Sequence, residues 1–126
     1  MRTPLPVAVL LALTLPSTAA LALNISVKNE TNNCAWITVY SAVNLMPWNQ
    51  QGARFVKPGA VEDFRIARKA DLRVRAEVKG SAECGNTPNV ADVHDWRKGL
   101  KFTDGPNFNA RVVKTGDGKF HLWIHD

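Results

Sequence analysis

Apolar residues recur along this chain at a spacing of two wherever the spacing is regular, and two is the period of a strand, whose successive side chains face opposite sides. In "LNISV", Leu23, Ile25 and Val27 alternate with Asn24 and Ser26. "CAWITVYS" is rich in β-branched and aromatic residues, with Ala35, Ile37 and Val39 in one row and Trp36, Thr38 and Tyr40 in the other. Both rows are apolar enough to predict a central strand covered on both faces. "RFVKPGAVEDFRI" predicts two strand ends joined around Pro58-Gly59, a pair that suits the two central positions of a type II turn. The clearest alternation is "DLRVRAEVK", which sends Leu72, Val74, Ala76 and Val78 inward and Arg73, Arg75, Glu77 and Lys79 outward.

Beyond that strand the pattern fades. Residues Gly80 to Pro106 hold four glycines and two prolines with little periodicity. They predict a long loop, with one helical turn over "NVADVHDWRKGL" capped by Asn89 and ended by Gly99. Regular alternation returns in "ARVVK" and "KFHLWIH", which flank Thr115-Gly116-Asp117-Gly118 as a hairpin. There is no repeat, low-complexity tract or linker. About six or seven short strands with turn signals between them predict an all-β domain, a small antiparallel β-sandwich or partly open barrel.

The N-terminus changes the picture of where this domain works. Arg2 supplies a positive start, Val7 to Leu15 an apolar run, and Ala20-Leu21-Ala22 small residues at a cleavage position. That is the layout of a secretory signal. Pro4, Pro6 and Pro16 bracket the run and argue against a buried helix. The run is also shorter than the roughly 20 apolar residues that span a bilayer. Residues 1–22 are therefore expected to be a signal peptide and 23–126 a single β-sandwich domain with no transmembrane segment, secreted, or periplasmic in a Gram-negative host. In that setting Cys34 and Cys84, with no C-x-x-C, predict one structural disulfide. Two Asn-x-Ser/Thr sequons, at Asn24 and Asn29, sit near the expected start of the domain and acquire meaning only in a eukaryotic host.

Charge adds a preference rather than a partner. The chain carries 16 Lys and Arg against 11 Asp and Glu. Without Arg2 the balance is about +4, histidines neutral. Excess positive charge favours anionic surfaces. The densest basic stretch, "RIARKADLRVRAEVKG", is broken by Asp71 and Glu77, and no basic residues interleave with aromatics along one predicted face. Specific nucleic-acid binding, which uses such stacking tracks, is therefore not expected.

Two clusters are candidates for chemistry. The chain ends in "KFHLWIHD", two histidines four apart around a tryptophan. On a strand, His121 and His125 share a face but stand about 13 Å apart, too far for one zinc ion, whose nitrogen ligands lie about 2 Å away. No metal and no cofactor is expected. What is left is an outward row of Lys119, His121, Trp123 and His125 opposite a buried row of Phe120, Leu122 and Ile124. If Trp123 faces solvent, the row is a binding patch; if the long loop covers it, Trp123 is core. The second cluster is His94, Trp96 and Arg97 in "VHDWRKG", placed on the loop, where function concentrates. A histidine beside cations suits acid–base work on a phosphodiester. No nucleophile motif accompanies it, and adjacent His94 and Asp95 side chains diverge.

The order of "ISVKNETNNCAWITVY", Lys57-Pro58-Gly59 and "VRAEV" leading to Cys84 resembles the opening strands of thaumatin-like β-sandwich proteins, in which a strand, a cysteine and a Trp- or Tyr-containing strand follow in turn. The resemblance covers under half of the expected mature chain. It implies a sandwich and no activity, because that family is much richer in cysteine and its acidic cleft residues have no counterpart motif here. The expected function is a non-enzymatic, exported binding protein for an anionic surface, a glycan or a protein partner. The alternatives are a secreted hydrolase or nuclease centred on His94 and an inhibitor of an exported hydrolase, whose charge would suit an acidic target.

Overall fold

A computed structural model describes residues 22–43, 46–67, 70–101 and 103–125. The predicted signal peptide, apart from Ala22, lies outside the described residues. Eight strands follow in order: β1 (Ala22–Asn29), β2 (Ala35–Ala42), β3 (Asn49–Val56), β4 (Val61–Ala67), β5 (Asp71–Lys79), β6 (Asn89–Arg97), β7 (Asn107–Lys114) and β8 (Phe120–His125). They form two four-stranded sheets, β4-β1-β7-β8 and β3-β2-β5-β6, that pack face to face as a sandwich. All pairs are antiparallel except β1 with β7, which run parallel.

The inward rows form the core. Leu23, Ile25 and Val27 of β1 meet Ile37 and Val39 of β2, Leu72, Val74 and Val78 of β5, and Leu122 and Ile124 of β8, all at most 4% exposed. Each such side chain contributes roughly 1.5–3 kcal/mol by leaving water. Turn chemistry holds where the sequence predicts it. Gly59 has φ +77° and the Ala60 N–H donates to the Lys57 carbonyl at 2.9 Å, closing the turn around Pro58-Gly59. Gly118, at φ +84°, closes the β7–β8 hairpin.

Cys34 at the head of β2 is bridged to Cys84 in the β5–β6 connection. A loop of that size, 50 residues, is worth about 4 kcal/mol on the chain-entropy argument. A polar knot lies nearby. The fully buried Asn29 side chain donates to the carbonyls of Asn33 (2.7 Å) and Val56 (2.9 Å) and accepts from the Thr31 amide and hydroxyl. All its capacity is used in the β1–β2 turn and at the end of β3, so this sequon asparagine has no free amide to modify in the folded state.

Two expectations are corrected. The 80–106 stretch is not one long loop with a helical turn, because Asn89–Arg97 is a nine-residue strand paired antiparallel to β5. Its inward row is Ala91, Val93, Asp95 and Arg97, half of it charged, so the apolar alternation that marks a strand is cut short. The second concerns β2. It is central in its sheet, yet the opposite sheet covers only one face, and Trp36 and Tyr40 are half-buried on the outer one.

Candidate binding face and adjoining seam

Cross-strand register assembles the outer face of β3-β2-β5-β6 into three rows. Phe55, Trp36, Glu77 and Asp92 form the first, Ala53, Thr38, Arg75 and His94 the second, and Gln50, Tyr40, Arg73 and Trp96 the third. Four aromatic rings thus share one sheet surface. Phe55 and Trp96 are 40% and 41% exposed, large for their type, and Phe55 packs edge-on to Trp36 with centroids 4.7 Å apart. Trp36 and Tyr40, four residues apart on β2, stand roughly 13 Å apart along the strand.

Two arginines sit between the rings and differ sharply in their partners. Arg75 grips Asp92 with two bonds, Nε to Oδ1 at 2.9 Å and Nη2 to Oδ2 at 2.6 Å, and Glu77 lies 3.3 Å away. The bond to Arg75 holds the Asp92 carboxyl below its usual value, and the same bond raises Arg75. Arg73 has no carboxylate in ion-pair range among the described residues. Its guanidinium lies over the Tyr40 ring, 4.8 Å from the centroid, and its Nη2 is 3.1 Å from His94 Nδ1. A guanidinium has no acceptor, so His94 Nδ1 accepts and its proton sits on Nε2. Arg73 Nε is buried without a partner.

The outer face of the other sheet is different in kind. Asn24, Ser26, Asn107 and Asn109 populate its centre, with Lys28 and Arg111 beside them. Trp123, His121 and His125 line its β8 edge. Trp123 is exposed (42%), which answers the question of whether it belongs to the core. Its ring is already engaged, stacked on His121 at 5.4 Å and 12° and flanked by Arg111 at 5.7 Å. Lys119 stands exposed at the hairpin, its carbonyl accepting from the Thr115 amide.

Edge strands β6 and β8 meet side by side where the two sheets end. Asp95 Oδ2 accepts from the Ile124 amide at 2.8 Å, and the Arg97 guanidinium donates to the Ile124 carbonyl. These two side chains satisfy backbone groups of an edge strand that would otherwise template pairing with another chain. Arg97, a candidate contact residue by sequence, is therefore part of the seam. Above it, Asp92, His94, Asp95, His121 and Trp123 line a shallow depression of about 380 Å³. The His94 and His121 clusters, 27 residues apart in sequence, share this one rim. His121 and His125 lie on one side of β8, and among the described residues no group of three or more histidines, cysteines or carboxylates is placed to hold a metal ion. Among the described residues no helix is long and apolar enough to cross a membrane.

Sequence reasoning found His94 and Trp96 and missed Trp36, Tyr40, Phe55 and Arg73. It also found no interleaving of aromatic and basic residues, whereas Tyr40, Arg73 and Trp96 are consecutive in one row. The interleaving runs across strands, between residues more than 20 positions apart, where a scan along the chain does not look.

No protein-family model and no curated protein matches the chain. Among solved structures it is similar to an NMR structure of a protein from Eubacterium rectale, at 13% identity and TM-score 0.58, over 82% of this chain and 88% of that one. The likeness is one of fold. It supports the sandwich arrangement and carries no activity.

Proposed function

We propose that this protein is an exported, non-catalytic glycan-binding module whose contact surface is the outer face of β3-β2-β5-β6. The observation that carries the proposal is the set of four rings, Phe55, Trp36, Tyr40 and Trp96, spread over one sheet surface with polar groups between them. Sugar rings present an apolar face and a polar rim, and aromatic side chains with hydrogen-bonding neighbours complement both. A rigid sheet also loses little freedom when it binds. The predicted signal and the disulfide fit an extracellular or periplasmic task.

The same pattern of rings and arginines is used by single-strand nucleic-acid binders, which need cationic charge along the whole track. Here Asp92 and Glu77 neutralise Arg75 and occupy one end of the surface, which favours a sparsely charged ligand. A second reading, a phosphodiesterase, rests on His94 and His121 lining one depression. Affinity electrophoresis through gels containing soluble polysaccharides, run beside activity gels containing RNA and DNA, tests both. Retardation by a polysaccharide without clearing of nucleic acid supports the binding module; clearing that His94→Ala abolishes would replace it with the enzyme.

A further inference from the structure

Resting on that reading, we infer that Arg73, framed by Tyr40 and Trp96, is the anion subsite of the face, and that the ligand is an acidic glycan bearing carboxylate or sulfate groups on its sugar units. Of the two arginines on this surface, one is spent. Arg75 holds Asp92 in a two-point grip and has Glu77 beside it. Arg73 is positioned instead by the Tyr40 ring beneath it and His94 Nδ1 beside it. No carboxylate lies in ion-pair contact with it among the described residues, and Asp92, which feels its charge at longer range, is taken up by Arg75.

An arginine fixed by stacking keeps its planar fork aimed, and that fork matches the two oxygens of a carboxylate or sulfate. Trp96 is directly opposite Arg73 in the register, one strand away, about 5 Å; its ring is tilted 34° against His94 with centroids 5.2 Å apart and is still 41% exposed. A sugar unit stacked on Trp96 would place an equatorial acidic substituent over the guanidinium. A single cation with no carboxylate in contact, set among four rings, fits a ligand with one charge per unit or fewer. The net charge of +5 for the whole chain points the same way, since it favours acidic over basic polymers.

The test uses the disulfide-bonded protein and two matched polymer pairs, polygalacturonate against its methyl ester and a dextran sulfated at no more than one group per unit against dextran, by titration calorimetry in 0.15 M salt. The matched pairs differ in charge and share a backbone. Tighter binding of the acidic member, by tenfold or more in at least one pair, is expected, and the pair that shows it identifies carboxylate or sulfate as the source of charge. Arg73→Lys keeps the charge and loses the fork; it should weaken the acidic member about tenfold and leave the neutral member within twofold. Arg111→Lys, on the outer face of the opposite sheet, should change neither by more than twofold. Equal affinity for acidic and neutral members overturns the subsite while leaving the glycan face standing. Binding of neither member of either pair overturns both. An equal loss for both members in Arg73→Lys, with an unchanged melting temperature, would make Arg73 a support for Tyr40 and also overturn the subsite. The preference of the unmodified protein stands as a test even if a variant fails to fold.

Discussion

The two outer faces of the sandwich are built on the same core and have opposite characters. On β3-β2-β5-β6 the outward positions are Phe55, Trp36, Tyr40 and Trp96 with two arginines between them. On β4-β1-β7-β8 they are mostly polar or charged, with Asp63 and Arg65 on β4, Asn24, Ser26 and Lys28 on β1, and Asn107, Asn109 and Arg111 on β7, and the one ring of comparable size, Trp123, sits at the β8 edge against His121 and Arg111. A sheet needs apolar residues only on its inner face. Large rings on an outer face therefore contribute little to folding relative to their cost in solubility, and asymmetry between two otherwise equivalent faces marks the one with another task.

Several substitutions would break or sharpen this contrast, and the largest effect should come from the core that both faces share. Val74 is fully buried between Arg73 and Arg75. Val74→Asp places an unpaired carboxylate there and should cost more than about 4 kcal/mol, enough to abolish folding, as read by urea denaturation. Both faces would be lost together. Next is Asn29, whose side chain joins the β1–β2 turn to the end of β3. Asn29→Ala leaves the Thr31 amide without its partner and removes the side-chain bonds to the Asn33 and Val56 carbonyls, and should cost about 2–3 kcal/mol in the same measurement.

A smaller effect is expected at the seam that joins the faces. Asp95→Ala leaves the partly buried Ile124 amide unpaired, with an expected loss of about 1–2 kcal/mol and faster hydrogen exchange at Ile124. The smallest concerns Asp92. Its carboxyl is lowered by Arg75, so the pair stabilises the fold above the unfolded carboxylate value, near pH 4, and that contribution is lost as pH falls through the lower folded value. Because the partners are 31% and 43% exposed, the contribution is under about 1 kcal/mol. Asp92→Asn should flatten the melting temperature against pH below about 4. It should also tighten an acidic polymer about 2- to 5-fold by partly freeing Arg75, the scale of one exposed ion pair.

What the sequence made legible follows from how local each signal is. The inward rows of β1, β5 and β8, the Pro58-Gly59 turn and the Cys34–Cys84 bridge were all readable, because alternation, turn chemistry and cysteine pairing are properties of short segments or of residue counts. β6 was not, since Asp95 and Arg97 point inward to bond the Ile124 backbone and displace the apolar residues that a strand pattern needs. The candidate face was half legible. Trp96 and His94 stood out as a cluster, but their neighbours on the surface are Arg73, Tyr40 and Trp36, brought in by the register of β2 with β5 and β5 with β6. That register depends on which strands pair. The outward rows Trp36-x-Thr38-x-Tyr40 and Arg73-x-Arg75 were the signal available, and aligning them requires the pairing first.

The most direct test of the asymmetry uses the four tryptophans as reporters, since each indole N–H gives a separate nitrogen–proton NMR signal. Trp36 and Trp96 lie on the aromatic face, Trp123 on the polar one and Trp48 in the connection before β3. Titration with an acidic oligosaccharide such as oligogalacturonate should shift the Trp36 and Trp96 signals, together with the backbone amides of Tyr40 and Arg73, and leave those of Trp123 and Asn109 in place. Shifts centred on Trp123, His125 and Asn109 with Trp96 unmoved would contradict the account and move the binding surface to the opposite sheet.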